Sequence, residues 1–112
     1  PDLPVTATCV RVPVKSSHSI AINVTLEKEA TVEDVREIFK DKEEFGITLK
    51  DDPSNLEYPT PLEAAGKEGI FVGRIRKDDS LDNTFHVWSV SDNILKGAAL
   101  NAVQILEQLI HQ

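Results

Sequence analysis

The stretch SIAINVTLEKEATVEDVREIFKDKEEFG, residues 19–46, joins a strand pattern directly to a helix pattern. Apolar residues alternate with small or polar ones through residues 20–26, which predicts a half-buried β-strand. Thr31, followed three positions later by Asp34, is typical of a capped helix start. Apolar residues then recur at helical spacing to about Glu44, and Gly46 ends the helix. This stretch therefore predicts a β-strand followed by an amphipathic helix, and the rest of the fold is built around these two elements.

The residues before this stretch predict a first strand over 5–14. Valines alternate there with Cys9 and Arg11, and Pro13 either ends the strand or places it at a sheet edge. Residues 15–17 are polar and turn-like, so the two strands are expected to pair as an antiparallel hairpin.

The rest of the chain contains three strand patterns, one irregular connection and one helix. They are 47–49, 70–77 and 84–90 for the strands, 51–69 for the connection and 94–110 for the helix. A bulge is expected near Gly73, and the final helix is capped by Ser91, Asp92 and Asn93. Clustered strands predict an α+β domain, with a mostly antiparallel mixed sheet and helices on one face.

Composition excludes several classes of protein. The net charge of −7 argues against nucleic-acid binding, which needs clustered Lys and Arg. No apolar run is long enough for a membrane span. The single cysteine gives neither a disulfide framework nor a zinc site, so a cytoplasmic location is expected. Acidic residues concentrate in 27–44 and 50–57, where a solvated surface is a better interpretation than a docking face.

Arg11 and His18 are the candidate site residues. A guanidinium binds a carboxylate through a two-pronged hydrogen bond, and an imidazole is the commonest acid–base group. Across a short hairpin the two side chains can point into the same space, which would suit a small acidic substrate that needs proton transfer. The alternative is a solvated arginine and a turn histidine. Cys9 lies mid-strand, where a buried cysteine acting as a small hydrophobe is favoured over a nucleophile.

The remaining reactive side chains suggest no second site. His86 lies within a strand beside Trp88 and is interpreted as structural. Arg74 and Arg76 are expected to pair with surface acids rather than bind an anion. The sequence shows no phosphate-binding loop and no metal-ligand spacing, so no metal site is predicted.

Three blocks, taken in order, resemble the C-terminal half of aspartate-semialdehyde dehydrogenases. They are ATCVRVPVKSSHS at 7–19, FVGRIRKDDS at 71–80 and WSVSDNILKGAALNAVQILEQL at 88–109. The resemblance implies part of a glyceraldehyde-3-phosphate-dehydrogenase-like C-terminal domain. It also implies NADPH-dependent conversion of β-aspartyl phosphate to aspartate β-semialdehyde and phosphate, a step toward lysine, methionine and threonine.

The resemblance assigns roles residue by residue. Arg11 matches the arginine that holds the substrate carboxylate, His18 the acid–base histidine, and Asn93 a position beside the nicotinamide. Ser17 departs from the family, which commonly has glycine before the histidine. Serine does not adopt glycine's left-handed conformations cheaply, so His18 is expected to be shifted if the family needs one there. The family's nucleophilic cysteine and dinucleotide fold lie upstream of these residues, and Cys9 does not match that nucleophile.

The resemblance also implies an organisation. Residues 1–90 belong to a catalytic and dimerisation domain, and 91–112 form a helix that packs on a dinucleotide-binding domain. A homodimer is expected. Because the chain begins Pro-Asp-Leu-Pro without Met, it is expected to be a processed product or a trimmed piece, inactive alone. The alternatives are a related N-acetyl-glutamyl-phosphate reductase and a stand-alone interaction module without catalysis.

Overall fold

A four-stranded mixed sheet forms the centre of the computed structural model, which describes residues 5–110. Its strands are β1 (His18–Thr25), β2 (Ile47–Leu49), β3 (Ile70–Lys77) and β4 (Thr84–Ser91). They lie in the order β1-β4-β3-β2; the β1–β4 and β3–β4 pairs are antiparallel, and the β2–β3 pair is parallel. The predicted α+β class and the mostly antiparallel mixed sheet are confirmed.

The described residues also form three α-helices and three short helical segments of 3₁₀ or π type. The helices are α1 (Val32–Lys40), α2 (Pro61–Ala64) and α3 (Leu100–Ile110). The turns are two 3₁₀ segments, Glu43–Phe45 and Pro53–Asn55, and a π-helical segment, Leu95–Ala99. The final helix predicted over 94–110 is thus present, but its first turn is wider than an α-helix.

The core lies between α1 and one face of the sheet. Val35 of α1 packs against four buried strand residues, which are Val72, Ile75, Phe85 and Val87. Burying one such side chain contributes about 1.5–3 kcal/mol. The predicted capping box is confirmed, because the Thr31 hydroxyl accepts from the Asp34 amide while the Asp34 carboxylate accepts from the Thr31 amide.

The connection between β2 and β3 crosses the opposite face of the sheet. The Trp88 indole donates to the Pro59 carbonyl at 3.1 Å, and α2 packs against β4 with Ala64 fully buried. A Cβ on Gly73 would lie 2.1 Å from the Lys50 carbonyl oxygen, so only glycine fits under this crossing. The predicted bulge is confirmed, since the β3–β4 register shifts between Gly73 and Arg76.

The predicted strand over 5–14 and its hairpin are wrong. These residues are exposed and form no regular strand, and β1 pairs along its whole length with β4 instead. The Val14 amide donates to the Val12 carbonyl at 2.9 Å, closing a three-residue turn around Pro13. Proline lacks the N–H that a ladder needs, so the alternation of valines does not become pairing here.

Helix α3 projects from the sheet with an uncovered apolar surface. None of its eleven residues is buried, and Ile105, Leu106 and Leu109 are each more than half exposed. The chain's radius of gyration is 15.5 Å, whereas a compact chain of this length would have about 13 Å. No helix within residues 5–110 is long and apolar enough to cross a bilayer.

Candidate active site

His18 is the first residue of β1 and lies opposite Ser91, the last residue of β4. Its side chain is exposed. Beyond this pair the two strands separate, because the chain after Ser91 turns into the π-helical segment. His18 therefore stands at the open end of an antiparallel ladder, where a side chain is held by backbone on one side and is free to meet a ligand on the other.

Asn93 continues the ladder for one more step. The Ser17 amide donates to the Asn93 Oδ1 atom at 2.7 Å, across 76 residues of sequence. The structure thus brings two of the three predicted site regions, Ser17–His18 and Asn93, into direct contact.

Ser17 has a left-handed backbone, with φ of 79°, although it is not glycine. It is only 5% exposed, and its hydroxyl oxygen has no hydrogen-bond partner within the described residues. The left-handed conformation costs a residue with a Cβ roughly 1–2 kcal/mol. Ser17 therefore adopts a left-handed conformation of the kind that glycine adopts at lower cost. His18 is the next residue in the chain.

Replacing Ser17 by glycine is expected to stabilise the chain by about 1 kcal/mol. Glycine relieves the left-handed strain and removes a buried hydroxyl without a partner, and its greater freedom in the unfolded chain offsets part of this gain. Urea titration of the 112-residue chain measures the difference. Ser19→Gly is the matched control: Ser19 is exposed and extended in β1, so the same change there should destabilise. Equal effects at both positions would contradict the strain at Ser17.

Asp92 fixes the backbone from which Asn93 projects. Its buried carboxylate accepts from the amides of Gly66, Ile94 and Leu95, at 2.7, 2.8 and 3.3 Å. These bonds, the one from Gly66 foremost, lower the pKa of Asp92 below its usual value. The cap predicted for the last helix is confirmed for Asp92, and the contact with Gly66 ties that cap to the loop after α2. No local signal in the sequence indicated this contact.

Arg11 and Cys9 lie in the exposed segment before β1. Within residues 5–110, Arg11 makes no ion pair or hydrogen bond. The argument that a hairpin aligns Arg11 with His18 is wrong, because that hairpin is absent from the part of the chain that the structure describes. The interpretation of Cys9 as a buried small hydrophobe is also wrong, since the thiol is exposed.

A second polar cluster lies at the other end of β1 and joins Asn23, Asp78 and His86. The Asp78 carboxylate accepts from Asn23 Nδ2 at 2.8 Å and lies 3.2 Å from His86 Nε2. It also accepts from the Ser80 hydroxyl and amide, which, with the hydroxyl foremost, lower the pKa of Asp78 to about 2. These bonds account for His86 as a structural residue, as predicted. By contrast, Arg74 lies over the Tyr58 ring, and neither Arg74 nor Arg76 pairs with an acid among the described residues.

Acid unfolding is expected to depend on Asp78. A carboxyl with a lowered folded pKa contributes stability above its unfolded pKa and loses it as the pH falls through the folded value. The contribution should be complete above pH 3.8 and disappear toward about pH 2. Urea titrations of wild-type chain and Asp78→Asn at stepped pH measure this. Their difference should shrink across that interval; a difference independent of pH would contradict the assignment.

No cluster of three metal-ligating side chains occurs in the part of the chain that the structure describes.

The mixed sheet packed against α1, with His18 and Asn93 at one end of β1 and β4, is an α+β domain. The comparisons with known proteins assign it to the glyceraldehyde-3-phosphate-dehydrogenase-like C-terminal type. Residues 1–96 match the family described as semialdehyde dehydrogenase, dimerisation domain, and the chain belongs to this family.

Named relatives agree with this assignment. The chain is 54% identical over 110 residues to the aspartate-semialdehyde dehydrogenase of Bacillus subtilis, covering 97% of the chain and 31% of that protein. It is 47% identical to the enzyme of Aquifex aeolicus, covering 99% of the chain and 32% of that protein. The chain thus spans about a third of the length of these relatives. These relatives do not favour the alternative of an N-acetyl-glutamyl-phosphate reductase.

Solved structures show the same fold. Aspartate semialdehyde dehydrogenase II from Vibrio cholerae, complexed with ASA, superimposes with a TM-score of 0.81 and 36% identity, covering 90% of the chain and 29% of that protein. The Francisella tularensis enzyme gives a TM-score of 0.76 and 31% identity, covering 88% and 27%.

Proposed function

We propose that this chain is the C-terminal catalytic part of an aspartate-semialdehyde dehydrogenase. The complete enzyme would convert β-aspartyl phosphate to aspartate β-semialdehyde and phosphate, with a nicotinamide dinucleotide as reductant. The observation that carries the proposal is the 54% identity over 97% of the chain to a protein of that name. The geometry at the end of β1 and β4 supports it, because it presents an exposed imidazole on a rigid ladder.

Arg11 would bind the α-carboxylate of the substrate. A guanidinium forms two parallel N–H bonds to a carboxylate, which fixes both position and orientation. Arg11 is exposed and unpaired within residues 5–110, so its donors are available to a ligand. Holding the carboxylate keeps the reacting carbonyl in near-attack geometry relative to the nucleophile.

His18 would act as the acid–base group. An imidazole can take the proton of a thiol nucleophile and later return a proton to the oxygen of the substrate carbonyl. The nucleophile would come from outside these residues, because the resemblance matches it to an upstream cysteine and not to Cys9. Two observations support this role: His18 is the first residue of β1, and its side chain is exposed.

Asn93 would lie beside the nicotinamide. Its Oδ1 atom is engaged by the Ser17 amide, which leaves its Nδ2 hydrogens to donate to an amide oxygen of the cofactor. The dinucleotide, NADP in this proposal, supplies the hydride when bound in its reduced form, NADPH. The chain contains no glycine-rich dinucleotide motif, so most cofactor contacts would come from other residues of the enzyme.

The same proposal accounts for the uncovered surfaces. Residues 91–112 would pack on a dinucleotide-binding domain, which would cover the apolar side chains of α3. Residues 1–90 would belong to the catalytic and dimerisation domain of a homodimer. The substrate is a small acidic molecule, nucleic acid and membrane are not partners, and the location is the cytoplasm.

Turnover by the native polypeptide that contains this chain tests the proposal. NADPH oxidation is followed with β-aspartyl phosphate, and NADP reduction with aspartate β-semialdehyde plus phosphate. We expect turnover in both directions, with one phosphate released per NADPH oxidised. Turnover with N-acetyl-glutamyl phosphate alone would identify the related reductase. A folded polypeptide without dinucleotide-dependent turnover would overturn the enzymatic function and leave an interaction module.

A further inference from the structure

We propose that Asn93 is a positioning residue for His18, acting through the backbone of Ser17. The inference rests on the proposed function of His18 but assigns Asn93 a second task, distinct from contact with the cofactor. The bond from the Ser17 amide to Asn93 Oδ1, 2.7 Å long, is the observation that carries it.

The bond lies directly before His18 in the chain, so it can affect the position of that residue. β1 begins at His18, so Ser17 is the last residue outside the regular ladder. With φ of 79°, Ser17 turns the chain sharply into β1. Its conformation sets the direction from which the chain reaches His18, so a change at Ser17 would displace the first residue of β1.

Ser17 does not favour this conformation by itself. A Cβ disfavours the left-handed region, and the buried hydroxyl gains no hydrogen bond within residues 5–110 to offset the cost. The Asn93 bond opposes that preference. Without it, Ser17 is expected to relax toward an extended backbone, which would displace His18 from its position at the start of β1.

Asn93 is itself held firmly. It follows Asp92, whose buried carboxylate binds three backbone amides, and Asp92 follows β4 directly. The side-chain oxygen of Asn93 therefore projects from a backbone that is fixed by these hydrogen bonds. A chain of contacts runs from the core strand β4 through Asp92 and Asn93 to Ser17, and ends at His18.

Glycine at position 17 separates positioning from cofactor contact. Glycine reaches the left-handed region without steric cost, so a chain with Ser17→Gly should depend much less on the Asn93 bond. A role confined to the nicotinamide would be unaffected by the residue at 17. The four proteins of a double-mutant cycle, wild type, Ser17→Gly, Asn93→Ala and the pair, therefore distinguish the two.

The cycle is measured in the native polypeptide with NADPH and β-aspartyl phosphate. We expect Asn93→Ala to lower kcat about 10- to 100-fold, since a small misplacement of a catalytic group has effects of this size. The double variant should regain most of that loss. Asn93→Asp retains an acceptor oxygen for the Ser17 amide, so it should keep Ser17 protected against amide hydrogen exchange, whereas Asn93→Ala should expose it.

Asn83→Ala is the matched control. The Asn83 side chain also binds loop backbone, since it accepts from the Ala30 amide at 3.1 Å and donates to the Lys28 carbonyl at 2.8 Å. Unlike Asn93, it lies near the other end of β1, away from His18. Its loss should lower stability and leave kcat nearly unchanged. An equal fall of kcat in both alanine variants would show a general loss of folding and overturn the positioning role.

Two further outcomes overturn the inference. One is a loss of kcat in Asn93→Ala that Ser17→Gly does not restore; a raised KM for NADPH alongside it would assign Asn93 to the cofactor alone. The other is unchanged exchange of the Ser17 amide in Asn93→Ala. The exchange measurement needs no turnover, so it tests the bond even in a polypeptide whose inactivity has overturned the proposed function.

Discussion

Replacement of His18 by alanine is expected to lower kcat by about two to four orders of magnitude. The imidazole is the group that moves protons in the proposed reaction, and the Asp92 carboxylate is not available for that task, because it is buried and accepts from three backbone amides. Steady-state kinetics of the native polypeptide with β-aspartyl phosphate measure the change. The fall should be seen mainly in kcat, since alanine leaves Arg11, the proposed ligand of the substrate carboxylate, in place.

His86→Ala is the control for a general effect of removing an imidazole. His86 is half-buried and contacts Asp78 at the other end of the sheet, so its loss should reduce stability without a comparable fall in kcat. His18→Ala should also unfold at nearly the wild-type urea concentration, because the His18 side chain is exposed. A folded His18→Ala protein with near-normal kcat would leave His18 as a residue at the start of a strand and remove it from the mechanism.

Periodicity made most of the fold predictable. The alternation over 20–26 and the capping box at Thr31 and Asp34 both report local physics, and both reappear in the structure as β1 and α1. Two details were wrong: every residue of β1 is exposed, so the strand is not half-buried, and α1 ends at Lys40 rather than near Glu44. The bulge near Gly73 was predictable for the same reason, since a glycine that interrupts a strand pattern commonly marks a bulge or a close backbone approach.

Pairing was not predictable from the same signal. Residues 5–14 alternate as well as β1 does, yet they form no strand, because alternation describes the two faces of a segment and not its partner. The partner of β1 is β4, whose first residue, Thr84, lies 59 positions after Thr25, the last residue of β1. No short turn joins β1 to β4, so the sequence does not indicate that they pair. The predicted proximity of Arg11 and His18 was wrong because it depended on a hairpin that is absent.

Side-chain chemistry selected His18 and Arg11 as candidate site residues, since imidazole and guanidinium groups have specific roles in proton transfer and carboxylate binding. The bond between Ser17 and Asn93 had no local signal across 76 residues. A weak indication was present in the departure at Ser17, where serine stands in place of glycine. A residue that adopts a costly conformation needs a contact elsewhere to hold it, and that contact is visible only in three dimensions.

Arg11→Lys is expected to lower kcat/KM for β-aspartyl phosphate by about 10- to 100-fold, mainly through a higher KM. Lysine keeps the charge but offers a single point of contact, so one charge-assisted hydrogen bond to the substrate carboxylate is lost. NADPH affinity should not change, because Arg11 is assigned no contact with the cofactor. Initial rates over a range of both substrates separate the two constants.

Arg76→Lys is the matched control for Arg11→Lys. Arg76 is an exposed arginine in β3, whose guanidinium donates to the Arg74 carbonyl at 3.1 Å, and it has no assigned role in the reaction. The same exchange there should leave both constants unchanged. If Arg11→Lys also left KM and kcat unchanged, Arg11 would be a solvated arginine in an exposed segment. If it lowered kcat with constant KM, the guanidinium would act on the transition state rather than hold the substrate, because an interaction present only in the transition state affects kcat alone.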